Sequence, residues 1–286
     1  MKPELTLKSA LFEAEKLDQY ALYLSFEAAG LHYIVVRVQD RRLMYLQDYQ
    51  FPTASNTTEL FSWLNTIYEQ DWYLKANFWH SINILCHTEA FTLVPVGLYQ
   101  NNRNADYLRW VRSSDLPTEA LNIAVPPLKA QLLSSFRSDY AQWFKQMYAQ
   151  GNVSFYPQVY AFLKHVLAHS EKLKKGYVYA ELIDNKLFIG VWRNLKLELC
   201  NEYHCPTAQD VSYFILLVMD ELRLEREECE VKLLGKISPV SEVVRLLRTY
   251  VRQVTIGHGK PAWLEMGAEF DNQPYHYYAD LFAMAL

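Results

Sequence analysis

A short motif occurs twice in this chain, at the same place in two similar runs of residues. Phe51-Pro52-Thr53-Ala54 follows a stretch patterned for strands and leads into a helix. Cys205-Pro206-Thr207-Ala208 does the same, roughly 154 residues later. The segments before them also correspond: Tyr20 to Gln50 and Gly176 to His204 each read as three short strands joined by tight turns. A repeat of this length points to two similar domains rather than to a solenoid of small units. It also directs the search for function to the cleft expected between the copies.

The 286 residues suffice for two domains with full cores, and a hydrophobic share of 51% marks a globular chain rather than a disordered one. Net charge is only -4, with both signs interspersed. A nucleic-acid binder concentrates its basic residues. The best cluster here, Lys172, Lys174 and Lys175, sits where basic residues complement a helix C-terminus, so no nucleic-acid partner is expected. Met1-Lys2-Pro3-Glu4 lacks the apolar run of a signal peptide, and Phe214 to Met219 is far too short to span a bilayer. The expectations are no membrane span, a cytoplasmic setting, and four reduced cysteines at 86, 200, 205 and 229 with no Cys-x-x-Cys pair. Cys200 and Cys205 with His204 are not expected to hold a metal, because adjacent strand residues face opposite ways.

Along the chain, residues 1–18 read as an arm with some helical character. Strands are expected over Tyr20 to Phe26, Leu31 to Val38 and Leu43 to Phe51, then a helix with Asn56, Thr57 or Thr58 as cap, and a strand over Ser81 to His87. Phe91 to Pro117 has no counterpart in the second copy and reads as an insertion with helical pieces. After it come a short strand Leu121 to Val125, a helix over Lys129 to about Ala149, a strand Val153 to Tyr156 and a helix from Pro157. The second copy pairs Tyr177 to Ile183 with Lys186 to Trp192 around an Asp184-Asn185 hairpin, adds Leu195 to Tyr203, and caps its helix with Thr207. Glu230 to Leu234 ends at Gly235, and Ser238-Pro239 opens the next helix. Val251 to Ile256 is the last strand, and Tyr278 to Leu286 is a closing helix.

Three antiparallel strands, helix, strand, helix, strand is the order of a ribonuclease H-like unit. The expected fold class is α/β with mixed sheets: two tandem ribonuclease H-like domains, 1–175 with an insertion near 91–117, and 176–286, in an actin-like ATPase (ASKHA) architecture. Fold alone fixes no function.

Leu24-Ser25 with Gly30-Leu31, Phe91-Thr92-Leu93-Val94-Pro95, Tyr107-Leu108 and Leu233-Leu234-Gly235-Lys236-Ile237, taken in order over nearly the whole chain, resemble a bacterial family best known from Bacteroidetes, domain of unknown function 3822. The Phe-Thr-Leu-Val-Pro segment is its most distinctive piece. The resemblance implies an actin-like ATPase fold and a cytoplasmic setting, and brings no catalytic residues with it.

An actin-like ATPase holds nucleotide with an acidic residue and a small-residue turn at each of two hairpins, and with a Gly-Gly step against adenosine. Here Ser25 stands where active members carry Asp, and a serine supplies no charge for a magnesium shell. Glu27 would serve only through a change of register, and Gly30 closes that turn. In the second hairpin Asp184-Asn185 contains no glycine, and Glu181 reads as an exposed strand residue. Gly235 is followed by Lys236, whose side chain would fill the room a second glycine leaves. Ser25, Glu27, Gly30, Glu181, Asp184, Gly235 and Lys236 are vestigial cleft candidates, with no catalytic residue, cofactor or metal expected. His165 and His169 share a helix face at i, i+4 but lack the Glu of a metalloprotease motif, and read as half-exposed. Gly257-His258-Gly259-Lys260 has the wrong spacing for a phosphate loop and reads as a turn.

The leading expectation is a non-catalytic adaptor or scaffold for an unidentified protein partner, with Tyr99, Tyr107, Trp110, Tyr275, Tyr277 and Tyr278 as interface candidates. The alternatives are a nucleotide-dependent switch working through Glu27, Glu181 and Asp184, or a small ligand held between the lobes.

Overall fold

Each repeat is a meander of three antiparallel strands to which two parallel strands are added. The computed structural model describes residues 1–111, 118–170 and 175–286. Lys172, Lys174 and the 112–117 part of the expected insertion lie outside them. In chain order the first repeat contains β1 (Leu5–Lys8), β2 (Tyr20–Glu27), β3 (Gly30–Arg37), β4 (Arg42–Gln50), α1 (Thr57–Gln70), α2 (Trp72–Lys75), β5 (Ser81–Cys86), β6 (Ala90–Pro95), α3 (Asn104–Arg109), β7 (Thr118–Val125), β8 (Ala130–Arg137), α4 (Ser138–Met147), β9 (Val153–Pro157) and α5 (Gln158–Ser170). The second contains β10 (Tyr177–Ile183), β11 (Lys186–Arg193), β12 (Lys196–His204), α6 (Ala208–Glu221), β13 (Glu230–Gly235), α7 (Glu242–Tyr250), β14 (Gln253–Ile256) and α8 (Ala279–Met284).

The two sheets have one plan. The first runs β1-β4-β3-β2-β5-β9 and the second β12-β11-β10-β13-β14. In each, the meander is antiparallel and the last two strands are parallel to the first meander strand or to each other. This is the ribonuclease H-like order expected from the sequence. The correspondence reaches single residues: a register shift falls between Val35 and Val36 on β3, and another between Val191 and Trp192 on β11, at the sixth residue of each strand. The eighth residue of each strand is an arginine whose guanidinium bonds a following acid, Arg37 with Asp40 in the next turn and Arg193 with Glu198 on the next strand, both at 2.7 Å.

By packing, the chain forms two compact units. One comprises Met1–Ala161, Ala262–Gln273 and Met284–Leu286; the other comprises Phe162–Pro261 and Pro274–Ala283. The first has an aromatic core, where Phe26 meets the edge of Tyr140, Phe61 stacks on Trp143, and the Tyr68 and Tyr148 hydroxyls bond at 2.8 Å. The second is aliphatic, built on Val178, Ile189, Val191, Ile215, Val231, Leu233 and Val244. Both helices after the Pro-Thr-Ala motifs are capped as the sequence suggests. Asn56 accepts from the Glu59 N–H at 3.0 Å, and Thr207 forms a capping box with Asp210.

Three expectations fail. The arm is not helical over its first residues: β1 pairs with β4 from Leu5 opposite Asp48 to Lys8 opposite Tyr45. The helix expected over Lys129 to Ala149 is half strand, with β8 preceding α4. Ala130-Gln131-Leu132-Leu133-Ser134-Ser135-Phe136 is the central strand of a third, three-stranded sheet, β6-β8-β7, and is buried along most of its length, so it shows no alternation. Ser238-Pro239 precedes the helix rather than opening it, because α7 starts after Ser241.

Asp71 ties β3 and β4 of the first sheet to α2. Tyr33, Gln47 and Tyr49 donate to its Oδ2 at 2.8, 3.0 and 2.8 Å, and the Tyr73 and Leu74 N–H groups donate to Oδ1 at 2.9 and 3.2 Å. The Tyr45 hydroxyl bonds Gln47 in turn. Register places Tyr33 opposite Gln47, so these groups share one face. Asp71→Ala would leave several buried donors without an acceptor and remove a helix cap. The expected loss is about 3 kcal/mol or more, read as a lowered urea midpoint at constant m-value, whereas Tyr45→Phe, at the edge of the network, should cost about 1 kcal/mol.

Candidate functional site

The two hairpins expected to meet phosphate have similar tips but different chemistry. On β2, Ser25 pairs with His32 of β3, which pairs with Asp48 of β4, making a buried polar row across three strands. The Ser25 hydroxyl has no hydrogen-bond partner among the described residues. Glu27, two residues on and therefore on the same face, has its carboxylate 4.0 Å from His32 Nδ1. Glu27 pairs with Gly30 around the Ala28-Ala29 turn, whose carbonyls accept from Phe51 and Ala54 at 3.1 and 3.0 Å. The segment carrying the first Pro-Thr-Ala thus closes over the turn.

In the second unit Ile183 pairs with Lys186 around Asp184-Asn185, with Asp184 left-handed at φ 51. Glu181 occupies the position of Ser25: each lies two residues before the end of its strand, opposite a leucine of the parallel neighbour, Leu234 and Leu85 respectively. Glu181 is 2% exposed rather than the solvent-facing residue expected, because β10 is a central strand covered on both faces. Gly235 ends β13 at φ +90, where a Cβ would sit 2.1 Å from the Leu182 carbonyl oxygen. The glycine is therefore required by the approach of β13 to β10, apart from any ligand. Lys236 is exposed and sits at the head of a tight turn in which the Ile237 N–H bonds the Gly235 carbonyl at 2.7 Å.

A second group of residues comes together in the same unit, and the sequence separates them widely. His165 and His169 lie one turn apart on α5, and His258 lies on the loop after β14. The His165 and His169 ring centroids are 4.3 Å apart, His165 and His258 5.2 Å, and His169 and His258 3.6 Å with the rings nearly parallel. One ligand atom of each lies within 4.8 Å of the others. His165 is buried rather than half-exposed, because α5 presses on β11 at Gly190, where a Cβ would be 3.1 Å from Phe162 and 3.5 Å from Val166. His258 is aimed by its neighbours. Gly257 (φ +62) donates to the Leu233 carbonyl at 2.9 Å and accepts from Lys232 Nζ at 3.3 Å, Gly259 (φ +60) turns the chain away, and Tyr179 stacks on the ring at 5.7 Å. The i, i+4 pair is visible in the sequence. Its third member is not, because no local spacing connects α5 with a loop 89 residues beyond His169 (258 − 169).

Burial, then the neighbouring imidazoles and the Lys232 ammonium, holds His165 well below the usual histidine range. Burial and Lys232 lower His169 against the opposing pull of its bond to the His165 carbonyl. Burial, His169 and Lys232 push His258 down to about 3. Nearby, burial acts upward on Glu230, but the Thr255 hydroxyl and Lys232 outweigh it and keep the carboxyl below its ordinary range.

The family described as "Protein of unknown function (DUF3822)" matches residues 9–254. The chain belongs to this family. DUF3822 membership was the resemblance carried by the Leu24-Ser25 hairpin and by the Phe91–Pro95 stretch, which forms β6. Among solved structures, a Bacteroides thetaiotaomicron VPI-5482 protein with actin-like ATPase fold and unknown function superposes with a TM-score of 0.80. The two are 16% identical, over 96% of this chain and 99% of that one. The PilM-PilN type IV pilus biogenesis complex superposes at 0.61, with 12% identity, over 93% of this chain and 96% of that one. At such identities the likeness is one of fold: this DUF3822 member has the actin-like ATPase architecture. No curated protein matches its sequence significantly. No helix among the described residues is long and apolar enough to cross a membrane.

Four lowered histidines set a pH dependence: His165, His169 and His258 here, and His276, which burial lowers despite its bond to the Ile237 carbonyl. Each takes up its proton at lower pH in the folded chain than in the unfolded chain, which does so below about 6.5. Stability is therefore full above pH 6.5 and is lost as pH falls below it, by at most about 1.4 kcal/mol per pH unit for each histidine. Urea midpoints at pH 7.0 and 5.5, above the carboxylate range, should show this loss, and His258→Gln should make it smaller. Gly235→Ala should lower the midpoint at both pH values, by about 3 kcal/mol or more.

Proposed function

We propose that this chain acts by binding another protein, as a non-catalytic adaptor or scaffold on an actin-like frame. The observation that carries this reading is the apolar surface of the inserted sheet. Trp110 is 80% exposed and Leu98 69%, with Val96 and Val111 also exposed. They lie on two segments that Tyr107 ties together: its hydroxyl donates to the Leu98 carbonyl at 2.8 Å and accepts from the Gln100 N–H at 3.2 Å, while its ring stacks with Tyr99. Beneath, Leu108, Val94, Leu133 and Ala90 form a small core that holds the platform rigid. Large apolar side chains held outward on a rigid base are what protein interfaces use as anchors, tryptophan above all. Of the interface candidates read from sequence, Tyr278 is buried and serves packing instead.

The hairpins support the same reading. Ser25 brings no carboxylate to the first tip, and Glu27 lies beside His32. The Ala28-Ala29 turn is covered by the Phe51–Ala54 segment, and Asp184-Asn185 is a two-residue turn with little backbone to offer a phosphate. PilM, one of the similar folds, was solved in complex with PilN, which fits an actin-like frame used for partnering.

Trp110→Ala combined with Leu98→Ser should leave the unfolding midpoint within about 0.5 kcal/mol of wild type, since both side chains are exposed, and should abolish recovery of the stoichiometric partner that the tagged wild-type chain captures from its native source. Magnesium-ATP at millimolar concentration should leave the melting temperature unchanged. A rise of several degrees would overturn the reading, because a ligand far above its dissociation constant stabilises the native state.

A further inference from the structure

We infer that His165, His169 and His258 form a binding site for a divalent transition metal of the zinc class, with three neutral imidazoles as protein ligands and at least one coordination position open.

The inference starts from hydrogen bonding. His165 is buried, and neither of its ring nitrogens has a partner among the described residues; the same holds for Nε2 of His258. A buried imidazole nitrogen without a hydrogen bond is costly, and a group of three rings holding such nitrogens on His165 and His258 would be poor core filler compared with leucine. A metal ion satisfies those lone pairs at once. Three imidazoles without a thiolate suit zinc, copper, iron or nickel rather than magnesium or calcium, which take oxygen.

The surroundings are arranged as they are around histidine ligands. Nδ1 of His169 lies 2.9 Å from the His165 carbonyl oxygen. A proton on that nitrogen is donated to the carbonyl, which leaves Nε2 as the atom with the lone pair. Tyr179 stacks on His258 and is itself fixed by a 3.0 Å bond from Ser170. Burial favours neutral rings, the state in which imidazole ligates. Among the described residues the Lys232 ammonium opposes a cation, and Glu230 Oε1 lies 3.1 Å from it to balance it.

Ligation asks for a modest closure. Nitrogens bound at about 2.0–2.1 Å around a tetrahedral ion are about 3.3 Å apart, against up to 4.8 Å here, and His258 must rotate out of its stack with His169. It sits on the element best able to do so, a loop with Gly259 in open space. Among the described residues the group contains three ligating residues and no fourth, the ligand count of zinc sites that keep a position for water or substrate.

The test uses the full chain stripped with chelator. Zinc titrated calorimetrically should bind at one equivalent per chain with micromolar affinity or better and raise the melting temperature, and cobalt(II) should give the visible bands of a four-coordinate ion. His258→Ala and His169→Ala, both at partly exposed positions, should each weaken binding at least tenfold while keeping a wild-type circular dichroism spectrum. Cys200→Ser with Cys205→Ser should bind as wild type. Absence of stoichiometric binding by the wild-type chain at 100-fold excess zinc would overturn the site, as would unchanged affinity in both histidine variants or loss of binding in the cysteine variant. None of these outcomes depends on whether the chain is an adaptor.

Discussion

A buried carboxylate has to be surrounded by donors, and around Asp71 that requirement organises much of the first unit. Its five hydrogen bonds come from β3, β4 and the start of α2. The tyrosines that serve it are held in their neutral form: burial first, then the Asp71 charge, raises Tyr33 and Tyr49, and pushes Tyr45 up to about 12. A hydrophobic contact would tolerate sliding of one strand past another. This node does not, because sliding β3 past β4 takes Tyr33 away from the acceptor that it shares with Gln47 and Tyr49. The second unit keeps the same strand order with an aliphatic core. The fold is thus compatible with two quite different ways of fixing register.

The duplication is the level at which the sequence is most legible. Pro-Thr-Ala marks the approach to α1 and to α6 because proline ends each strand; in the second copy its threonine, Thr207, is the cap, and in the first the cap follows at Asn56. The meanders before them follow from alternation and turn residues. Legibility fails where burial on two faces removes alternation. Ala130–Arg137 reads as helix because leucines and serines follow one another without a two-residue period, and only its place between β6 and β7 makes it a strand. Glu181 fails for the opposite reason: an acid within a strand suggests an edge, whereas β10 lies at the centre of its sheet. The amino-terminal arm is too short to declare itself and becomes a strand by pairing with β4.

The candidate sites divide along the same line. Residues at the hairpin tips can be located from sequence because turns are local. The histidine cluster cannot, since it depends on α5 lying close enough to β11 for Gly190 to be required and on two left-handed glycines that turn His258 inward. A tight helix-to-sheet contact and a loop conformation are properties of packing, and a linear pattern records neither.

The two register shifts fall at one place in the plan. Val35 and Val36 are consecutive but face Tyr45 and Leu43, so the extra residue is Met44; Val191 and Trp192 face Leu199 and Leu197, so it is Glu198. Each is the third residue of its strand, β4 and β12. In the second unit the extra residue is itself the acid that Arg193 grips with two prongs, whereas Arg37 grips Asp40 in the turn before β4. Deleting Met44 or Glu198 would reverse the facing of the residues between it and the turn while leaving the rest of the strand in place. The irregularity is shared by halves whose cores differ, one aromatic and one aliphatic, so it aligns the two copies where their side chains do not.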